Sequence, residues 1–267
     1  MSFISYFLLG ILQGVGEFLP ISSSGHLILL KQFINLPQNL YLDVVLHLAT
    51  LLAVLLYFKK DIFFILVDIK NDVLSFFKTK SLNISKNSYL ALYILFACVP
   101  TFVLGFIFKD YFEGFRDTNT VLIMLTLISF FMLLDVFSVK IINSPKLNFT
   151  KAFIIGLFQT IALLPGSSRS GVTITTAKLL GISSKKAIRF SFLLSIPAIL
   201  AAFVFSLGDI QNVSQLINLS TFIAFITSFV FGFLSIRFLI SVFNKFGLTP
   251  FIIYRLLLVV FVLIISL

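Results

Sequence analysis

Six apolar runs, at 41–58, 89–108, 119–139, 187–207, 221–242 and 250–267, dominate the chain. Each is near the roughly 20 residues that a helix needs to cross a bilayer. Two further apolar segments, 1–30 and 152–183, are broken midway by polar stretches: QGVGEFLPISSSGH at 13–26 and QTIALLPGSSRSG at 159–171. Gly10 and Gly156, Gln13 and Gln159, Ser24 and Ser170, and Gly25 and Gly171 recur at a constant offset of 146. The breaks therefore read as two copies of one element. A duplicated Gly/Pro/Ser interruption at membrane depth points to a buried binding site.

Charge orients the runs. Segment 59–86 holds six Lys against three Asp, and segment 140–151 holds three Lys and no acid, whereas 109–117 is net −1. Lys-rich connections face the cytoplasm, so 59–86, 140–151 and Lys185, Lys186 and Arg189 are expected inside, and 109–118 and 208–220 outside. The signs alternate correctly only if 1–30 and 152–183 each enter and leave on one side. Each is therefore predicted to be a re-entrant helical hairpin, the first from outside and the second from inside. The reading is an all-α polytopic membrane protein: one domain, 1–267, with six transmembrane helices and two hairpins in an inverted-topology repeat of halves 1–139 and 152–267. The turns are non-helical, so lipid cannot satisfy their backbone and the spans must shelter them. They are expected to meet at the centre. Segment 61–77, apolar but interrupted by Asp68, Lys70, Asn71 and Asp72, reads as a cytoplasmic interfacial helix.

Composition agrees with this picture: 59% of residues are hydrophobic, 11% are charged, and mean hydropathy is +1.13. The net charge of +10 lies in short connections rather than along one face, which removes nucleic acid as a partner. No basic residue precedes Lys31, so no signal peptide is expected. The single cysteine, Cys98, can form no intramolecular disulfide and reads as core.

The breaks differ in chemistry. Glu17 lies within an apolar segment, where an acid is costly and is a functional candidate by default. Gln13, one helical turn earlier, shares its face. Ser22, Ser23 and Ser24 adjoin His26, which places hydroxyl nucleophiles beside an imidazole, although serines also cap helices. In the second copy Arg169 sits among Gly166, Ser167, Ser168, Ser170 and Gly171. A guanidinium fork with free N–H groups around it suits a phosphate or diphosphate, and an ion pair with Glu17 is the structural alternative. His47 follows Asp43 by one turn and reads as its structural partner. Arg189, Arg237 and Arg255 are expected to snorkel to the interface. Thr175 stands where the acid-phosphatase/lipid-phosphatase superfamily needs a second His, which disfavours that superfamily.

At these residues the chain resembles the undecaprenyl-diphosphatase family, the bacitracin-resistance proteins of bacterial inner membranes. The resemblance rests on QGVGEFLPISSSGHLIL at 13–29, LPGSSRSGVTI at 164–174, AIRFSFLLSIP at 187–197 and FGLTPFIIYR at 246–255. It implies hydrolysis of undecaprenyl diphosphate, recycling of the cell-wall lipid carrier and lowered bacitracin sensitivity. It also implies Glu17, Ser23, His26 and Arg169 as catalytic residues, with Gln13, Ser22, Ser24, Gly166, Ser167, Ser168, Ser170 and Gly171 against the substrate. A divalent cation, Mg²⁺ or Ca²⁺, is implied near Glu17. Here Gln13 supplies only an amide oxygen where some members carry a second glutamate. The expected partners are a polyprenyl diphosphate lipid and the bilayer, with a homodimer compatible, and the expected site opens outward. A polyprenyl-phosphate transporter or flippase is the competing reading, since inverted repeats with broken helices are also transporter architecture.

Overall fold

The computed structural model describes residues 3–33, 40–81, 83–137, 145–207 and 218–266. The segment 208–220 expected outside and the first part of 140–151 fall largely outside these residues. Among the described residues every regular element is helical. In chain order they are α1 (Phe3–Phe18), α2 (Ser23–Phe33), α3 (Leu40–Tyr57), α4 (Lys59–Thr79), α5 (Lys86–Ile107), α6 (Lys109–Glu113) and α7 (Thr118–Val136). After these come α8 (Phe149–Gln159), a 3₁₀ turn at Thr160–Leu163, α9 (Arg169–Leu179), α10 (Ser184–Leu207), α11 (Leu219–Phe246) and α12 (Thr249–Ser266).

Among the described residues four helices are long and apolar enough to cross a membrane: Lys86–Ile107, Thr118–Val136, Ser184–Val204 and Leu219–Phe246. Leu42–Tyr57 and Thr249–Ile265 are apolar but shorter, as are Phe3–Phe18 and Phe149–Leu163. The outside of the bundle is apolar, with Leu95, Phe106, Phe130, Phe238 and Leu257 all exposed. Polar side chains such as Gln13, Gln159, Ser129 and Thr175 are buried. A soluble protein would not leave that much apolar surface in water. Segment 61–77 is a single helix, α4, that places Phe63, Phe64, Leu66 and Phe77 on the surface.

The broken segments are carried on close, small-residue contacts. Helix α1 packs chiefly on α11 and α8 on α5. A Cβ at Gly10 would meet the Ala224 carbonyl at 2.7 Å, and one at Gly14 the Ser228 carbonyl at 2.6 Å. A Cβ at Gly156 would fall closer still to the Ala97 carbonyl. Without a hydrophobic force between helices in lipid, such backbone approach supplies the packing. Thr101 on α5 donates to the Gly156 carbonyl at 3.2 Å and fastens α5 to α8. Pro100 and Pro197, inside α5 and α10, immediately precede Thr101 and Ala198, two residues that face the site described next.

Candidate active site

Both polar breaks are built alike. Helix α1 stops at Phe18, and the chain turns through Leu19–Ser22 before α2 begins. Ser22 takes a positive φ of 76°, and its hydroxyl accepts the Gly25 N–H at 3.3 Å. In the second break Ser168 takes φ 70°, and its hydroxyl accepts the Gly171 N–H at 3.2 Å. Each also bonds a second hydroxyl two residues on, Ser24 and Ser170, both at 3.3 Å. Left-handed backbone costs a residue with a Cβ about 1–2 kcal/mol, and strain of this kind clusters at functional sites.

The turns touch. A Cβ at Gly25 would lie 3.1 Å from Gly166 Cα, and one at Gly171 would lie 3.4 Å from the Pro20 ring. Gly166 needs its own freedom, with φ 92° and the Val121 carbonyl 2.6 Å from where a Cβ would be. This apposition brings the charges together: Arg169 Nη2 donates to Glu17 Oε1 at 2.6 Å. Glu17 Oε2 accepts from Ser23 Oγ at 2.9 Å and from Gln13 Nε2 at 3.0 Å. Gly16 makes the Ser23 contact achievable, because a Cβ there would lie 2.8 Å from Ser23 Cα.

Glu17, Ser23 and Arg169 line a cavity of about 190 Å³ with Ser22, Ser24, His47, Thr101, Gln159 and Ser168. A second cavity, about 520 Å³, shares Ser24, Thr101, Leu163 and Ala198 with it and continues past Phe102 and Phe106 to Lys109 and Arg116. The polar centre is thus continuous with a wider, partly apolar groove that ends beside α6.

The remaining expected residues do not line this cavity. Gln13 lies behind the cavity, holding Glu17. Gly166, Ser167, Ser170 and Gly171 shape the second turn without lining the cavity, and the Ser167 hydroxyl is spent on the Leu164 carbonyl at 2.5 Å. His26 faces elsewhere. Its Nδ1 lies 2.8 Å from the Ser22 carbonyl and its Nε2 2.7 Å from the Tyr254 hydroxyl. A carbonyl only accepts, so Nδ1 carries the proton and Nε2 accepts from Tyr254. Both ring nitrogens are therefore engaged away from Ser23.

Two readings of the sequence are corrected here. His47 does not pair with the Asp43 side chain, which binds Lys31 Nζ at 2.6 Å. Its Nδ1 instead donates to the Asp43 backbone carbonyl at 2.7 Å, which turns Nε2 toward Glu17 Oε2, 3.8 Å away. A histidine one turn after an acid looks like a side-chain pair only until Lys31 is folded against that acid. Arg255 does not snorkel. It is fully buried, and its donors reach the Ser129 hydroxyl at 3.0 Å and the backbone carbonyls of Pro20 at 3.4 Å, Met124 at 3.2 Å, Leu125 at 3.1 Å and Gly166 at 2.9 Å. Pro20 and Gly166 belong to different turns, so one guanidinium fork clamps both.

A divalent cation can be tested against this donor set. Among the described residues no group of three His, Cys, Asp or Glu side chains forms a metal cluster. Glu17, Ser23 and Gln13 nevertheless offer hard oxygen donors, and Gln13 Oε1 is buried without a hydrogen-bond partner. Mg²⁺ is commonly held by one carboxylate together with substrate phosphate oxygens. The residues fit an ion that arrives with a phosphate, not a closed protein cage.

The sequence matches the family model described as Bacitracin resistance protein BacA over residues 6–261. The chain belongs to that family. It is 42% identical over 253 residues to an undecaprenyl-diphosphatase of Caldicellulosiruptor bescii, covering 92% of this chain and 91% of the relative. It is 37% identical over 264 residues to undecaprenyl-diphosphatase 1 of Pseudoalteromonas translucida, covering 97% and 96%. An undecaprenyl-diphosphatase of Aliivibrio salmonicida is 37% identical over 263 residues. The family match spans both turns and every long helix of this BacA-family chain.

Proposed function

We propose that this chain is an integral membrane phosphatase of the bacterial inner membrane that hydrolyses undecaprenyl diphosphate to undecaprenyl phosphate and inorganic phosphate. This activity recycles the cell-wall lipid carrier and confers bacitracin resistance. The observation that carries the reading is the Arg169–Glu17–Ser23 chain of contacts, at 2.6 and 2.9 Å, inside a cavity that continues into an apolar groove. Family membership and the names of the relatives support it further.

Glu17 and Arg169 form the resting pair. An arriving diphosphate competes for the guanidinium, which binds phosphate oxygens with a planar fork, and so releases Glu17 Oε1. Glu17 then takes the Ser23 proton. Ser23 Oγ forms a bond to the terminal phosphorus as the bridging P–O bond breaks and undecaprenyl phosphate leaves. Water then cleaves the phosphoserine to give inorganic phosphate. Arg169 offsets the charge on the transferring group, the kind of electrostatic term that dominates phosphoryl transfer. Glu17 and Gln13 would hold a divalent cation, Mg²⁺ or Ca²⁺, and when bound it would neutralise phosphate charge. His26 positions the Ser22–Ser23 turn through its bond to the Ser22 carbonyl.

The prenyl chain lies in the groove past Phe102 and Phe106, where only apolar contact is needed. That groove ends at α6, in the segment expected outside, so the site opens to the outer face. The two breaks are re-entrant hairpins, and halves 1–139 and 152–267 form an inverted repeat. The matched turns and the reciprocal α1–α11 and α8–α5 packing support that arrangement.

The test is phosphate release from undecaprenyl diphosphate by the purified protein in detergent, where no two-sided compartment exists. Release by wild type and its loss in Ser23→Ala are expected. A wild type that releases none would favour the transporter reading, and full activity in Ser23→Ala would remove the nucleophile.

A further inference from the structure

We infer that the end of the bundle opposite α6 carries a second binding site, for a phosphate-bearing anionic lipid head group. A cavity of about 630 Å³ there is walled by Lys86, Lys146, Lys186 and Arg189 together with Tyr89 and Tyr93. Along α5 the nearest lining residues of this cavity and of the α6 groove, Tyr93 and Thr101, stand about 12 Å apart at 1.5 Å per residue, and the two share no lining residue. The site already described does not reach it.

The acids around this cavity offset only part of its charge, and among the described residues none of them pairs with its lysines. Segment 59–86 contains three, and each is engaged: Asp61 with Arg189 at 2.5 Å, Asp68 with the Asn87 side chain at 2.9 Å, and Asp72 with the Ser85 N–H at 2.9 Å. Among the described residues, Lys86, Lys146 and Lys186 have no ion-pair partner. Arg189 Nε is buried with no acceptor. Three sequence segments far apart in the chain thus bring unpaired cations to one hollow, which a merely solvated charge run would not require.

The rest of the wall selects a lipid over a free anion. Tyr89 and Tyr93 stack at 6.0 Å, and Tyr93 and Phe96 each pack on the Phe149 ring, at 4.9 and 5.6 Å. Positions 89, 93 and 96 share one helical face, so an aromatic stripe runs from the basic mouth along α5. Leu92, Leu95 and Val99 on the same helix are exposed beside it. Head-group charge and acyl chain are both accommodated, the arrangement by which basic pockets between helices hold anionic lipids.

The full chain, purified in detergent, is titrated with phosphatidylglycerol and with phosphatidylcholine of the same acyl composition, with binding read by native mass spectrometry and thermal unfolding. Phosphatidylglycerol is expected to bind and raise the unfolding midpoint more than phosphatidylcholine. Lys86→Gln, Lys146→Gln and Lys186→Gln should each weaken it by roughly fivefold, and the triple variant by on the order of 100-fold. Phosphate release from undecaprenyl diphosphate should be retained by the triple variant, which shows that it folds; the single variants carry the test if it does not. Equal binding of the two lipids, or lysine variants that bind like wild type, would overturn the inference. Protection by millimolar inorganic phosphate equal to that by phosphatidylglycerol would overturn the lipid assignment in favour of a free-phosphate site.

Discussion

The turn after α1 and the turn before α9 share a backbone and differ in charge. Ser22 and Ser168 have φ of 76° and 70°, the same hydroxyl-to-N–H bond three residues on, and the same serine–serine link. Glu17 precedes one turn and Arg169 follows the other, and no acid or base stands at the corresponding place in the opposite copy. What recurs is scaffold that holds strained backbone, and what does not recur is chemistry. The shared backbone accounts for how the two turns come to face each other, and the residues they do not share account for why the site between them is polarised.

The sharpest way to break that comparison is to remove the charges. Glu17→Gln or Arg169→Gln alone should lower turnover by about 10³-fold, the size of a lost charge-stabilising contact in a transition state. Each should also cost about 3–5 kcal/mol of stability, because the surviving charge is buried without a partner. The double variant Glu17→Gln/Arg169→Gln should recover most of the stability and none of the turnover, measured by thermal unfolding and phosphate release on the same preparations. Recovered turnover would make the pair a structural strut, and the two turns would then differ in nothing that matters.

The histidines give a second, smaller effect. His26→Asn keeps a side-chain N–H for the Ser22 carbonyl, whereas His26→Ala does not. If His26 positions the first turn, Asn should retain activity within about tenfold of wild type while Ala falls about 100-fold, a gap of about 1.4 kcal/mol. If His26 instead transfers a proton, both should fall alike. His47→Gln should lower turnover by about tenfold, since its Nε2 lies beside Glu17 and lines the cavity. An unaffected His47→Gln would return that residue to the structural role its spacing suggested.

Legibility in the sequence followed range of contact. The helices came from runs of apolar residues, and the apposed turns from a repeat with one offset, because both are properties of the chain itself. Glu17 and Arg169 were conspicuous because a charge in an apolar run has few bland explanations. His47 and Arg255 are not legible in the sequence for the opposite reason: each has a plausible local partner or exit, and only the fold removes it. Lys31 takes the Asp43 carboxylate across 12 residues. Arg255 finds its acceptors in two turns and α7, at sequence separations from 89 to 235. Neither partner set has a periodicity to detect, although an arginine within an apolar run carries the same signal that singled out Arg169.

The smallest effect tests the shared half of the comparison. Ser22→Ala and Ser168→Ala each delete a hydroxyl that accepts a backbone N–H at the start of a helix, a loss worth about 1 kcal/mol. Because the two bonds are 3.3 and 3.2 Å long and the two φ values lie within a few degrees, the stability losses should be equal within about 0.5 kcal/mol. Turnover should stay within a few-fold of wild type in both, since Glu17, Ser23 and Arg169 are untouched. A large loss of turnover in Ser168→Ala alone would mean that its hydroxyl contacts substrate and that the second turn contributes more than Arg169. A large loss of stability in one variant alone would mean that the turns are alike in geometry but not in load, with the Arg255 clamp on Pro20 and Gly166 supporting one more than the other.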